Sequence, residues 1–193
     1  WVLDELYQSV QRQIDWYAPH RDEMGLLRDL PIRNKIDWTP VDLRGANLST
    51  NALYVSGLED AAWLADVVGF TQDAARWRSM AAEIRTTLRR VFWNDARGCF
   101  EDSYHRGELT GVASEQGNAF ALLYGIADDS QIAPIARHFS GEMADLVEAS
   151  PLYFGYVVDG LLHVGLTKHA LDLTRARFAP MLESTDHPTI WES

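Results

Sequence analysis

Two kinds of helix alternate along this chain of 193 residues, and the alternation limits the folds that it can adopt. Residues 49–68, 115–125 and 152–164 carry apolar side chains nearly all round, whereas residues 2–17 and 168–178 carry them on one face. A helix that is apolar all round is buried all round, and a helix with one apolar stripe is half exposed. The alternation therefore predicts inner helices covered by outer ones. Further outer helices are expected at residues 130–140 and after Thr71, the predicted N-cap of a stripe that runs from Ala74 to Val91.

The turns that follow the inner helices repeat as well. Gly69, Gly125 and Gly165 each end an inner helix, and residues 68–74 closely match residues 164–170. Glycine commonly ends helices because it adopts a left-handed conformation without strain. Self-similarity at a period of about 40 to 56 residues is typical of stacked helical hairpins. The repeat therefore predicts that each inner helix and the outer helix after it form one hairpin.

The connections from an outer helix to the next inner helix are long. Consecutive antiparallel hairpins place the tight glycine turns at one rim and the long loops at the other, and functional residues usually lie on such loops. The pattern predicts an all-α toroid with three inner and four outer helices, a little over half of a closed ring. The long loops are residues 18–47, 93–113, 141–150 and 179–193, and a short turn with an extended edge is expected at 98–103.

The net charge of −11 and the residue types exclude several functions. Nucleic acids and anionic membranes would be repelled, so neither is an expected partner, and no apolar run is long enough to span a membrane. Cys99 is the single cysteine, and the six histidines are scattered without a metal-binding spacing such as HExxH. No glycine-rich phosphate loop is present. We therefore expect no metal and no cofactor, and the compartment stays open.

Tryptophans and carboxylates occur together in the long loops. Asp37-Trp38 lies in the first loop, Trp93 begins the second, and Trp191-Glu192 lies in the fourth. A glycosidase needs carboxylates for acid and base catalysis, and aromatic faces on which a sugar ring can stack. Because the long loops share one rim, these residues are candidates for a carbohydrate site. The structural alternative is that Asp37 caps its loop and Trp38 plugs that loop against the helix ends.

Other polar residues are weaker candidates. Glu148 lies in the third long loop. Ser114, Glu115, Gln116 and Asn118 begin an inner helix, where capping is the ordinary role, although one or two of them could point into the cavity.

Six segments, in their order and spacing, resemble one enzyme family over essentially the whole chain. The chain resembles the bacterial α-L-rhamnosidases of glycoside hydrolase family 78. The segments are Ile36-Asp37-Trp38, Asn51-Ala52-Leu53-Tyr54, Val91-Phe92-Trp93-Asn94, Ser114-Glu115-Gln116-Gly117-Asn118-Ala119, Ser150-Pro151-Leu152-Tyr153-Phe154 and Thr189-Ile190-Trp191-Glu192.

The resemblance implies an (α/α)6 barrel of six helical hairpins, of which residues 1–193 would be part, roughly the second half. It implies an inverting hydrolase that releases terminal α-L-rhamnose without a covalent intermediate. Glu192 matches the general base of the family's Thr-x-Trp-Glu motif, and Asp37-Trp38 resembles a segment that lines the sugar site. Trp93 and Trp191 are further substrate-binding candidates.

The chain departs from the family in one important respect. The family's general acid lies in an Arg-Asp-Glu-Arg motif that has no equivalent in this chain. Residues 21–24 look similar, but they follow the first outer helix instead of preceding it, so they are not assigned as the general acid. We therefore expect the acid, and the remainder of the catalytic domain, to lie outside this chain, and the isolated chain to be inactive. Two alternatives stay open. One is a six-hairpin glycosidase of the trehalase, glucoamylase or uronyl-hydrolase type, and the other is a non-catalytic helical-repeat scaffold.

Overall fold

The computed structural model describes residues 2–32, 35–143 and 145–184, and these residues form seven α-helices. None of the described helices is both long and apolar enough to cross a bilayer. Helix α3 begins at Thr71. The prediction that Thr71 is its N-cap is therefore wrong by one residue, since Phe70 occupies the cap position without a side-chain hydrogen bond. The helices are α1 (Val2–Tyr17), α2 (Leu48–Val67), α3 (Thr71–Phe92), α4 (Glu115–Leu123), α5 (Asp129–Phe139), α6 (Pro151–His163) and α7 (Thr167–Leu182), and a 3-10 turn (Ala18–His20) extends α1.

The helices pack in two layers, as the alternation predicts. Helices α2, α4 and α6 form the inner layer, with α4 between the other two. Helices α1 and α3 pack on α2, α7 packs on α6, and α5 contacts α4 and α7. The predicted all-α arrangement of inner and outer helices is confirmed. The apolar stripe of α3 is buried at Ala74, Trp77, Ala81, Ile84 and Leu88.

The inner helices are not equally enclosed. Every residue from Glu115 to Leu122 on α4 is buried, but Leu53 and Trp63 on α2, and Leu152 and Tyr156 on α6, are exposed. Helix α4 has an inner neighbour on each side, whereas α2 and α6 each contact only one in the described chain. The prediction that α2 and α6 are buried all round is therefore wrong for one side of each helix.

The three glycine turns have one backbone structure. Gly69, Gly125 and Gly165 have positive φ angles of 89°, 64° and 78°. In each turn the N–H after the glycine donates to a carbonyl five residues earlier, which is the Schellman arrangement that ends helices. The sequence repeat therefore records a repeated turn geometry. The donor–acceptor distances are 2.8 Å from Phe70 to Ala65, 2.9 Å from Ile126 to Ala121 and 2.8 Å from Leu166 to Leu161.

The first three long loops meet at the rim opposite the glycine turns, and short strands join the first two. In the described residues one sheet has the order β1-β4-β5 and a second pairs β2 with β3, all antiparallel. The turn with an extended edge expected at residues 98–103 is confirmed, since Gly98 lies in a turn and Cys99 and Phe100 form a strand. The pairing of Ser103 with Asn47 of β1 was not predicted. The strands are β1 (Ala46–Asn47), β2 (Trp93–Asn94), β3 (Cys99–Phe100), β4 (Ser103–His105) and β5 (Glu108–Leu109).

Candidate functional site

Asp37 is the centre of a buried polar cluster at the long-loop rim. Its Oδ2 accepts hydrogen bonds from Gln116 Nε2 and, at 2.9 Å, from the backbone N–H of Ser150. Its Oδ1 accepts from the N–H of Trp38 at 2.6 Å. Gln116 lies in the first turn of α4 and Ser150 is the N-cap residue of α6. Two inner helices therefore point their positive ends at one carboxylate, which is a favourable setting for an anion.

The protonation state of Asp37 follows from these contacts. Burial by itself would raise the pKa of Asp37, but hydrogen bonds from Ser150, Gln116 and Trp38 outweigh it and hold the pKa below its ordinary value. The residue is only 7% exposed. An ionised carboxylate that is held by three donors is a poor proton donor. Asp37 is therefore suited to anchoring its loop, as the structural alternative predicts for this residue.

Trp38 has a different environment from the residue before it. Its side chain is 67% exposed, the highest value for a large apolar residue in the described chain, and the ammonium group of Lys35 lies over its ring. The idea that Trp38 plugs the loop against the helix ends is therefore wrong. An exposed indole lacks the stabilisation of about 25 cal/mol per Å² that burial of its apolar surface would give. An exposed aromatic ring beside a rigidly held residue is therefore a candidate binding surface.

Trp93 lies in a separate part of the rim. Its indole N–H donates to Asp95 at 2.6 Å, and its ring packs on Phe100 with centroids 5.0 Å apart. These contacts belong to the β2–β3 hairpin that follows α3. No described contact joins Trp93 to Asp37 or Trp38, so this arrangement gives no support to its predicted role in substrate binding.

A second cluster surrounds Glu115, the first residue of α4. Its carboxylate accepts two hydrogen bonds from Arg177 of α7, at 2.8 and 2.9 Å, and a third from the N–H of Ala149 at 2.9 Å. The Arg177 guanidinium also lies over the ring of Phe154, 4.7 Å from its centroid. Glu148 is an exposed carboxylate 4.0 Å from Arg177. The cluster ties α4, α6 and α7 together at the rim.

The predicted catalytic residue lies outside the described residues. This applies to Glu192 and to its neighbour Trp191. Their predicted roles as general base and substrate-binding residue therefore stay predictions. Within the described part of the chain, no group of three His, Cys, Asp or Glu side chains is placed to hold a metal ion.

Sequence reasoning missed part of this site. Ser114 caps α4 as predicted, since its hydroxyl accepts from the N–H of Gly117 at 3.1 Å. Gln116, Ser150 and Arg177 were not identified as partners of the two rim carboxylates. The available signal was the run of polar residues from Ser114 to Asn118 at the start of an otherwise apolar helix, and such a run is equally typical of a helix cap.

Comparison with known proteins identifies the class of this helical domain. The model of the mannosylglycerate hydrolase MGH1-like glycoside hydrolase domain matches residues 33–149, more than half of the chain. The two-layer helical fold is thus that of a glycoside hydrolase domain. The chain belongs to the MGH1-like glycoside hydrolase domain family.

Solved structures agree with this assignment. The chain superposes on the family 78 rhamnosidase of Bacillus sp. GL1 with a TM-score of 0.85 and 26% identity, covering 98% of this chain and 20% of that one. A rhamnosidase from Klebsiella oxytoca with rhamnose bound gives 0.80 and 20% identity, over 97% and 35%. Neutral trehalase of Saccharomyces cerevisiae gives 0.56 and 16%, over 71% and 32%. No curated protein matches this sequence.

These comparisons confirm the resemblance to family 78 rhamnosidases and the helical toroid that it implied. They favour the rhamnosidases over the trehalase, whose match covers less of the chain. The chain spans about a fifth of the Bacillus enzyme and about a third of the Klebsiella enzyme.

Proposed function

We propose that residues 1–193 form part, roughly the second half, of an (α/α)6 catalytic domain that hydrolyses terminal α-L-rhamnosides. The observation that carries the proposal is the exposed indole of Trp38 beside the buried, ionised Asp37, on the rim where inner helices begin. The rhamnosidase similarity over 98% of the chain supports the choice of sugar. The substrate is therefore a carbohydrate, a rhamnose-containing glycoside or oligosaccharide.

In this proposal the chain supplies one half of an inverting mechanism. Trp38 stacks on the sugar ring, and Asp37 holds the loop of Trp38 in place. Glu192 is the general base that takes a proton from water as the water attacks the anomeric carbon. The general acid that protonates the leaving oxygen lies in the remainder of the domain, with the two carboxyl groups about 6.5–9.5 Å apart, as inversion requires.

The remainder of the domain also has a surface on which to pack. A groove of about 760 Å³ runs between α1 and α2 and has a mainly apolar lining. Leu3 and Leu6 of α1, and Leu53 and Trp63 of α2, are exposed along it. Helix α4, which has inner neighbours on both sides, exposes no such stripe. We infer that a further inner helix of the domain covers the groove.

Hydrolysis of an aryl α-L-rhamnoside tests the proposal. We expect turnover by the full-length protein and none by the isolated chain, because only the full-length protein contains both carboxyl groups. Glu192→Gln in the full-length protein should lower kcat by roughly 10²–10⁴-fold, the usual effect of losing a general base. Glu108→Gln, at an exposed position in the second long loop, is a control on the same rim and should retain activity.

Two results would contradict the proposal. Clear turnover by the isolated chain would place the acid within residues 1–193. Full activity of Glu192→Gln would remove the assigned base. Proton NMR of the first-formed product separates the mechanisms, because inversion releases the β-anomer of L-rhamnose.

A trehalase-type activity is the second candidate. It is favoured by the structural match to neutral trehalase, which extends over 71% of the chain. A panel of aryl glycosides together with trehalose, given to the full-length protein, distinguishes the two. Release of glucose without release of rhamnose would establish the second candidate.

A further inference from the structure

We propose that Glu115 and Arg177 are positioning residues of the sugar site, which hold Trp38 in place through the segment before α6. The idea rests on the proposed function, since it takes Trp38 as the surface on which the sugar stacks. Neither residue contacts Trp38 directly. Their effect passes through a continuous series of hydrogen bonds, which we call the rim ladder, from Arg177 through Glu115, Ala149 and Ser150 to Asp37.

The ladder has two adjacent steps. Ala149 donates its N–H to Glu115 at 2.9 Å, and the next residue, Ser150, donates its N–H to Asp37 at 2.9 Å. Glu115 in turn donates its own N–H to the carbonyl of Val147 at 3.0 Å. The N–H groups of two consecutive residues, Ala149 and Ser150, thus donate to two different carboxylates. A displacement of that segment from Glu115 also moves the donor that holds Asp37.

Asp37 transmits the position of the ladder to Trp38. The two residues are adjacent, and the N–H of Trp38 donates to Asp37 Oδ1 at 2.6 Å. Gln116 reinforces the connection, because its Nε2 donates to Asp37 and, at 3.0 Å, to the hydroxyl of Thr39 on the other side of Trp38. The backbone is therefore held both before and after the exposed ring.

The chemistry of the ion pair favours a positioning role. Glu115 and the Arg177 side chain are both largely buried, and removing two charges from water costs nearly as much free energy as their attraction returns. Such pairs therefore add little net stability. What the pair supplies is geometry, since a two-pronged guanidinium–carboxylate contact fixes both the distance and the orientation of its partners.

The position of Trp38 can be measured directly by fluorine NMR of the isolated chain labelled with 5-fluorotryptophan. Trp38→Phe identifies the resonance by its disappearance. The test variant combines Glu115→Gln with Arg177→Met, which removes both charges together and leaves no unpaired buried ion. We expect the Trp38 resonance to shift or broaden by more than its own linewidth, while the resonances of Trp63 and Trp77 stay in place.

An ion pair at the other rim provides a matched control. Arg85 of α3 bonds Glu59 of α2 at 2.6 Å, near the glycine turns. Glu59→Gln with Arg85→Met should leave the Trp38 resonance unchanged. The proposal is overturned if the Glu115–Arg177 variant leaves the Trp38 resonance in place, or if both double variants move it equally. If the double variant does not fold, Arg177→Lys answers the same question, because lysine keeps the charge but cannot form the two-pronged contact.

Kinetics of the full-length protein complete the test. Arg177→Lys should raise KM for an aryl α-L-rhamnoside by roughly tenfold with little change in kcat, because stacking on Trp38 holds the substrate and the transition state alike. A loss of kcat of that size, with KM unchanged, would overturn the positioning role. If the wild-type protein does not hydrolyse rhamnosides at all, the proposed function fails, while the fluorine measurement still decides whether the ladder holds Trp38.

Discussion

The hydroxyl of Ser114 donates to the buried carboxylate of Asp102 at 2.6 Å, and this contact joins the start of α4 to the second long loop. The N–H of Ser114 donates to the same oxygen at 3.0 Å, and Asp42 N–H donates to the other oxygen at 3.3 Å. Burial raises the pKa of Asp102 to about 6, against the lowering effect of the hydrogen bonds from Ser114 and Asp42. This carboxyl group therefore titrates in an accessible pH range.

The stability of the chain should reflect this titration. Because the pKa of Asp102 is higher in the folded chain than the value of about 3.9 in an unfolded one, the folded state binds the proton more tightly between pH 4 and 6. The contribution of Asp102 to the free energy of unfolding therefore falls as the pH rises through this window, by roughly 2–3 kcal/mol. Urea denaturation at several pH values measures it.

Asp102→Asn is the variant that isolates the effect. It should become more stable relative to wild type as the pH rises from 4 to 7, because it has no proton to lose. Asp42→Asn should show the opposite sign at lower pH, since the bond with Arg44 outweighs burial and holds the pKa of Asp42 at about 2. Parallel curves for wild type and Asp102→Asn between pH 4 and 7 would contradict the prediction.

Asp145 should stabilise the third long loop. Its Oδ1 lies 2.7 Å from His138 Nδ1, and its Oδ2 accepts from Arg97 at 2.9 Å. The other ring nitrogen of His138 lies 3.0 Å from the Arg97 carbonyl, so the imidazole lies between Asp145 and the Arg97 backbone. Although burial raises the pKa of Asp145, its contacts with Arg97 and His138 lower it overall. Because the Asp145 side chain is 44% exposed, solvent screens these contacts, and Asp145→Asn should cost about 1 kcal/mol of unfolding free energy at pH 7.

The pH dependence and a matched carboxylate test this assignment. Because the pKa of Asp145 is depressed in the folded chain, its contribution is present above the ordinary carboxylate pKa and is lost as the pH falls below about 4. The difference between Asp145→Asn and wild type should therefore shrink in acid. Asp172 has a similarly exposed side chain, at 49% against 44%, but its bonds within the described chain are to Lys168 and Arg175 on its own helix. Asp172→Asn should leave stability unchanged.

The parts of this fold that could be predicted are those determined by neighbouring residues. The glycine turns depend on a few consecutive residues, because only glycine adopts a positive φ without strain. The separation into inner and outer helices depends on apolar periodicity, which also lies within each helix. Trp77 and Leu88, for example, fall on one stripe of α3 and are both buried.

The parts that could not be predicted depend on residues that are far apart in the sequence. Gln116 reaches Asp37 across 79 positions and Arg177 reaches Glu115 across 62. A polar residue at the start of a helix is equally suited to capping its own backbone, so nothing local identifies the distant partner. The prediction that α2 and α6 are buried on all sides failed for a related reason. Whether Trp63 is covered depends on which other helices are present, and the composition of α2 does not contain that information.

Gly165 should be needed for its backbone conformation alone. Its φ is 78°, and a Cβ added there would meet no atom within 4 Å. Gly165→Ala should therefore cost about 1–2 kcal/mol, the penalty for placing an L-residue in the left-handed region. Gly57 lies inside α2 and also has open space around it. Gly57→Ala should instead stabilise by about 0.5–1 kcal/mol, because alanine favours the helix. Thermal or urea unfolding measures both, and equal effects would contradict the turn assignment.

Trp38 and Trp63 are almost equally exposed in this chain, at 67% and 64%, yet the proposed function gives them opposite roles. Trp38 should contact the sugar, and Trp63, in the groove between α1 and α2, should be covered by the remainder of the domain. In the isolated chain, alanine at either position should change unfolding free energy by no more than about 0.5 kcal/mol, as is usual for exposed sites.

In the full-length protein the two alanine variants should differ. Trp63→Ala should cost about 3–5 kcal/mol of stability, because it would then leave a cavity in a packed interior, and it should leave KM for a rhamnoside unchanged in the protein that remains folded. Trp38→Ala should keep its stability and raise KM, because a stacking surface is lost. Unfolding curves and initial rates measure both effects. A Trp63→Ala protein that is as stable as wild type would show that the groove stays open, and the inferred packing of the remaining hairpins would then be wrong.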